Sequence, residues 1–343
     1  MTMRARVFRV AAVTLLATLL LSAPHAARAG SDASLVEEMT ITARPIDRFR
    51  IGYDDTRFGP FEFVGGLEMV STGRDFGSLS AFRFTAPGSS FVGVADTGFW
   101  YFGTVTRDAD GRPAGFADFR MVPFVDEAGT PVREKWYVDA EGLALRDGKA
   151  IVGFEREHRI AEFDLDPDHM AAATRTYDFL VPAYELRQNR GFETVTFAHP
   201  QGIHEGGMVV VSEKSLDRDG NIFAAILEGP DRGVFSVKRN GEFDITDGAF
   251  LPDGDLLLLE RRYSMASGVA MRLRRIYGES IRAGALADGP VLMEADMGYQ
   301  IDNMEGLDVW RRDDGALVVS LVSDDNHSIL QRNLYLEFVL HDE

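Results

Sequence analysis

Glu141-Gly142-Leu143-Ala144-Leu145-Arg146-Asp147-Gly148-Lys149-Ala150-Ile151-Val152-Gly153-Phe154-Glu155 spells out one β-hairpin. A short apolar run opens at an acid, Asp147-Gly148 supplies a turn dipeptide, and a denser apolar run returns to a second acid. Arg156 to His158 then form a polar loop, Arg159 to Leu165 alternates apolar and polar, and Thr176 to Val181 adds a fourth strand. A lone four-stranded sheet of this kind cannot cover both of its faces, so it needs copies of itself to pack against.

The copies are present. Phe192 to Phe197, Met208 to Val211 with Glu213 beyond it, Asn221 to Leu227 and Val234 to Lys238 repeat the rhythm. Thr246-Asp247-Gly248-Ala249-Phe250 opens the next unit, Pro252-Asp253-Gly254 turns it, and Leu256 to Leu259, Glu260, Met271 to Ile276 and Val291 to Ala295 complete it. Glu305-Gly306-Leu307-Asp308-Val309 opens the last, followed by Asp314-Gly315, Leu317 to Val322, Asp324-Asp325 and Leu334 to Leu340. A degenerate first unit contains Gly65-Gly66-Leu67, Phe91 to Ala95 with Asp96, Trp100 to Val105 and Phe116 to Val122. Such a period predicts an all-β protein, a β-propeller of five to six four-stranded blades spanning residues 60–343. Residues 30–59 hold strand material that completes the last blade or contributes to a sixth. A two-layer β-sandwich is the competing architecture.

Composition narrows the function. The chain has 343 residues, 36 Lys and Arg, 54 Asp and Glu, a net charge of −18 and no Cys. Disulfides, thiolate zinc sites and thiol chemistry are thereby excluded. So strong an acidic surplus argues against nucleic-acid binding, which needs clustered cations. Residues 1–29 read as a cleaved signal peptide: Arg4, Arg6 and Arg9 precede the uncharged run Val10 to Leu21, and Ala27-Arg28-Ala29 offers small residues before Gly30. That run is too short for a membrane span, which needs roughly 20 residues, and no later stretch is long enough. The expectation is a periplasmic or secreted protein whose charge falls to about −22 once the four Arg of the signal are lost.

Propeller geometry gives the acids a common address. The inner strand of a blade starts at one face, turns at the other and returns, so its start and the end of the second strand share a face. Glu141, Glu193, Asp247 and Glu305 mark starts, and Asp96, Glu155, Glu213, Glu260 and Asp324 mark ends. All are expected around one mouth of the central channel, with Arg156, His158, Arg190, Lys214, Arg261, Arg262, His327 and Arg332 interspersed. Crowded carboxylates repel unless cations neutralise them, and oxygen-rich sites suit Ca²⁺. The same acids would equally cap backbone N–H groups or pair with a neighbouring blade. Asp217-Arg218-Asp219-Gly220 has its Gly in the wrong place for a calcium loop and reads as a hairpin turn.

At Asp139-Ala140-Glu141-Gly142-Leu143, Asn189-Arg190-Gly191-Phe192-Glu193, Asn303-Met304-Glu305-Gly306-Leu307 and Ser323-Asp324-Asp325-Asn326-His327 the chain resembles the phytase-like propeller family, named for esterase-like activity of phytase. The resemblance covers about residues 60 to 340 and implies hydrolysis of phosphate or carboxylic esters. The first unit departs from it, with Gly65 where the repeated Glu is expected. The expected function is thus hydrolysis of a small anionic ester, a phosphomonoester foremost, assisted by Ca²⁺. Glu141, Glu193, Glu305, Glu155 and Asp324 are the candidate metal ligands. Glu141, Glu193, Glu305, Arg190, Lys214, Arg261 and His158 are the candidate catalytic residues. A lactonase or carboxylesterase-type propeller and a non-catalytic binding or scaffold propeller are the alternatives.

Overall fold

The computed structural model describes residues 35–186 and 191–341. The signal-peptide expectation and Arg190 lie outside the described residues. Within them the chain is almost entirely β, with one four-residue α-helix, Lys135–Val138, and one short 3₁₀ turn, Gly278–Ser280. No described helix is long and apolar enough to cross a membrane.

Five antiparallel sheets of four principal strands follow one another along the chain. Blade 1 comprises Leu79–Phe84, Ser90–Ala95, Phe99–Arg107 and Pro113–Pro123, and blade 2 comprises Ala140–Arg146, Lys149–Phe154, Arg159–Asp164 and Arg175–Tyr177. Blade 3 is built from Phe192–Phe197, Met208–Leu216, Ile222–Ile226 and Gly233–Val237, and blade 4 from Asp244–Phe250, Leu256–Ser264, Gly268–Ile276 and Val291–Ala295. In blade 5, Asn303–Arg311, Leu317–Asp324 and Asn333–Leu340 are joined by Phe61–Val70 from the other end of the chain, and Thr42–Ile46 lies outside that. Phe61 stands opposite Leu340 and Met69 opposite Asn333. The number is therefore five. The strand that closes the last blade is Phe61–Val70, and the segment before residue 60 adds to it only the outer strand Thr42–Ile46 and the short Arg57–Phe58 pairing. Gly65-Gly66-Leu67 belongs to this closing strand. It does not open blade 1, whose inner strand is Leu79–Phe84.

Side-chain alternation along each strand feeds two neighbouring interfaces. In blade 4, Leu256 and Leu258 pack toward blade 3 with Val209, Ile222 and Phe235. Leu257 and Leu259 pack toward blade 5 with Leu307, Val319 and Phe338. Equivalent apolar clusters join blades 1 and 2, 2 and 3, and 5 and 1. The core is thus five wedges arranged in a ring, which is the propeller and excludes a two-layer sandwich. Trp100 and Tyr101, fully buried, contribute to two different wedges.

Turns occupy the expected ends. Asp147 and Gly148 both have positive φ, 52° and 73°, the geometry of the two-residue turn that matches strand twist. Near the axis the inner strands crowd. A Cβ on Gly142 would sit 2.7 Å from the Glu193 carbonyl oxygen, and one on Gly306 would sit 2.6 Å from Val322. Gly follows Glu141 and Glu305 because a side chain there has no room.

One ion pair spans the channel. Arg83, from the inner strand of blade 1, donates through Nη1 to Asp247 Oδ2 and through Nη2 to Asp247 Oδ1, each at 2.7 Å. It also donates to the carbonyls of Phe82 and Leu307 at 2.7 Å and of Val195 and Gly248 at 3.4 Å. Asp247 accepts in turn from the N–H groups of Gly248 and Leu307. A single buried guanidinium thereby ties together the inner strands of four blades.

Candidate functional site

Every inner strand carries a β-bulge at the same place. The pairing register skips one residue in each of the five blades, leaving Ser80, Glu141, Glu193, Thr246 and Glu305 unpaired. A bulge re-aims the extra side chain and ends regular pairing. Ser80, Glu141, Glu193 and Glu305 all line one cavity at the channel mouth. Thr246 turns aside to donate to the Met304 carbonyl.

The returning strands supply a second tier. Asp96 and Glu155 donate their N–H groups to Ser78 and Asp139, Glu213 donates to Gly191, and Asp324 stands opposite Asn303. The fifth equivalent is Arg261, opposite Asp244. The cavity of 270 Å³ is lined by eight carboxylates (Asp96, Asp139, Glu141, Glu155, Glu193, Glu213, Glu305, Asp324) and four bases (Lys135, Arg156, Lys214, Arg261). Oxygens of Asp96, Asp139 and Glu141 lie within 4.8 Å of one another, and so do those of Glu155, Glu193 and Glu213.

The bases serve only part of this crowd. Lys135 lies 2.6 Å from Asp96 and 3.5 Å from Asp139, and Arg156 pairs with Asp139. Lys214 lies 2.8 Å from Glu213 and 3.3 Å from Asp244. Arg261 donates to Asn303 Oδ1 at 2.7 Å and approaches Glu305 at 3.2 Å. Burial opposes its charge, but Glu305, Glu213 and Glu193 outweigh that and push its pKa up. Glu141 and Glu193 have no described base within 4 Å. Withdrawal from water, then the neighbouring carboxylates, push both of their pKa values well above the usual range.

Glu155 and Glu305 are also pushed up, to about 7, each chiefly by burial. The Gly191 N–H moderates the shift at Glu155, and Arg261 moderates it at Glu305. These shifts fix the sign of a pH dependence. Between about pH 4.5 and 7 the folded protein holds protons on these carboxyls that the unfolded chain releases, so stability falls as pH rises through that window. In chelator, stability is expected to fall between pH 5 and pH 8 by an amount on the order of 3 kcal/mol, read as a lower thermal midpoint at pH 8. A midpoint that rises instead would contradict the shifts.

Of the sequence-predicted residues, Glu141, Glu155, Glu193, Glu305, Asp324, Lys214 and Arg261 converge on this cavity. Two acids do not. Asp247 lies one residue past the bulge and turns inward to Arg83. Glu260 precedes the mouth position by one residue, so strand alternation sends it into the blade, where Arg272 and Arg274 hold it. His158 stands beside Gly191 and is not among the cavity-lining residues. Asp217 accepts from the N–H groups of Asp219 and Asn221, the hairpin turn expected there. Asp139 and Lys135 were not among the candidates. Asp139 sits two residues before a bulged Glu, a spacing that signals a shared face. Lys135 is delivered by the short helix, for which the sequence carries no signal.

No curated protein matches the chain. Among solved structures it is similar to the endo-arabinase of Bacteroides thetaiotaomicron, at 11% identity over 74% of this chain and 90% of that one, with a TM-score of 0.45. It is also similar to the PQQ-bound aldose sugar dehydrogenase of Streptomyces coelicolor, at 14% identity over 83% and 99% of the two chains, with a TM-score of 0.41. Residues 74–327, from the start of blade 1 to the loop after Asp324, match the family described as phytase-like, esterase-like activity of phytase. By that match the chain belongs to the phytase-like family.

Proposed function

We propose that this propeller is an exported, Ca²⁺-assisted hydrolase of small anionic esters, phosphomonoesters foremost. The observation that carries the reading is the charge balance of the mouth. Eight carboxylates face four bases, and two of the carboxylates, Glu141 and Glu193, have no described base within reach. Fully ionised, the described lining carries a surplus of four negative charges, which two divalent cations would neutralise. All of the candidate ligands are hard oxygens, and neither His nor Cys lines the described cavity, so the donor set suits Ca²⁺ better than zinc. Asp96, Asp139 and Glu141 would hold one ion, and Glu155, Glu193 and Glu213 the other. Such an ion supplies Lewis acidity toward a phosphoryl oxygen and lowers the pKa of bound water.

The chain's own groups do the rest. Lys214 and Arg261 line the same cavity, where they can neutralise charge that develops on phosphate oxygens. Glu305, with a pKa near 7, can take or give a proton at neutral pH. Held 3.2 Å from Arg261, it lies beside the group that would hold the anion. The test is a panel of phosphomonoesters, lactones and p-nitrophenyl acyl esters, each assayed with Ca²⁺ and with chelator. Phosphate release that disappears in chelator and returns with Ca²⁺ is expected. Turnover of lactones or acyl esters alone would assign the alternative chemistries. Calorimetric Ca²⁺ binding with no turnover would make this a binding propeller.

A further inference from the structure

The loops that carry the charged lining also carry unburied apolar side chains, a few residues further out. Trp136 and Tyr137 follow Lys135 and are about half exposed. Beyond Arg261, the Leu256–Ser264 and Gly268–Ile276 hairpin stays paired through Tyr263 opposite Val269 and Ser264 opposite Gly268. At about 3.3 Å per residue, its tip stands roughly 13 Å above Arg261. There Met265 is 92% exposed, and Tyr263 is exposed below it. Beyond Asn326, Ile329 is fully exposed and Leu330 is 87% exposed. At the far face the inner-strand turns of blades 2, 4 and 5 are instead Asp147-Gly148, Asp253-Gly254 and Asp314-Gly315, and the longer turn of blade 3 carries one large exposed apolar side chain, Ile203. Loop tips are ordinarily small and polar, so large apolar groups raised around a charged well point to a binding role.

We propose that the ester taken by this mouth is an amphiphile, with an anionic ester head on the charged floor and an alkyl or acyl chain lying on this raised apolar rim. The inference rests on the ester-hydrolase reading and adds the class of substrate. A fully water-exposed methylene gains about fourfold in affinity when covered. An open rim covers it only in part, so a gain of about twofold per methylene is expected.

The test uses n-alkyl phosphonates from ethyl to decyl, kept below micelle formation, titrated into the full chain with Ca²⁺, alongside turnover of the matching phosphates. Affinity is expected to rise at least 30-fold from ethyl to decyl. In the triple variant Met265→Ser, Ile329→Ser, Leu330→Ser the rise should shrink to under 5-fold, with ethyl phosphate turnover unchanged. Because all three side chains are already in water, folding is not at risk. A flat chain-length series in the native protein overturns the inference while leaving the hydrolase reading intact. So does a steep series that survives in the triple variant. A steep, rim-dependent series without turnover of any phosphate keeps the amphiphile and removes the hydrolase. Co-sedimentation with phosphatidylcholine vesicles containing phosphatidic acid, lost in the triple variant, would assign the head group to a membrane. Chain-length dependence without co-sedimentation would assign it to dissolved amphiphiles.

Discussion

Replacing Arg83 with Met is expected to lower the stability of the fold by about 3–5 kcal/mol, the cost of leaving a buried partner charge uncompensated. Asp247 would lose two 2.7 Å bonds and keep only the N–H groups of Gly248 and Leu307. The Phe82 and Leu307 carbonyls would lose a donor as well. Chemical denaturation of the native and variant chains measures the difference. The double variant Arg83→Met, Asp247→Leu separates charge from packing. Removing both charges should recover most of the loss, because apolar groups of similar size often replace a buried pair at little cost. A single variant as stable as the native chain would mean that the four blades do not depend on this guanidinium.

Glu193→Gln is expected to reduce Ca²⁺-dependent turnover at least 100-fold, within the range of a lost acid–base or metal-binding group. The substitution keeps the shape of the side chain and removes a charge that its surroundings oppose. Burial comes first among the causes that raise the Glu193 pKa, followed by Glu141, Glu155, Glu213 and Glu305. In chelator at pH 8, the variant should therefore be more stable than the native protein, with a higher thermal midpoint. On the proposed function Ca²⁺ should raise the midpoint of the native chain, and that rise should shrink in the variant. Lower activity with higher apo stability cannot come from misfolding. Unchanged turnover would remove Glu193 from the site, and a lower apo midpoint would contradict the repulsion.

The blades were legible because each is a local object. Apolar runs, Asp-Gly turns and a period of roughly 50 to 60 residues need only short-range reading. The convergence of Glu141, Glu193 and Glu305 followed from propeller geometry. Two errors share one cause. A bulge inserts a residue without changing residue type, and in a strand a shift by one reverses the face. Thr246-Asp247 thus looked like Glu193-Thr194 displaced by one, and Glu260-Arg261 hid the fact that blade 4 contributes a base where four other blades contribute acids. Gly65-Gly66-Leu67 misled differently. It imitates the Glu-Gly-Leu opening but lies on a strand that joins its blade through Asn333–Leu340, more than 260 residues away. No local pattern reveals such a pairing.

That distant pairing governs the order in which the molecule can be assembled. Residues 61–70 leave the ribosome before any complete blade, yet must wait for residues 333–340 before they can dock. Until the two meet, each leaves one sheet edge unpaired, the kind of surface that recruits other chains. Contacts of such sequence separation form slowly. Closure of the latch is thus expected to be slow in refolding, with the unlatched chain exposed to aggregation until it occurs.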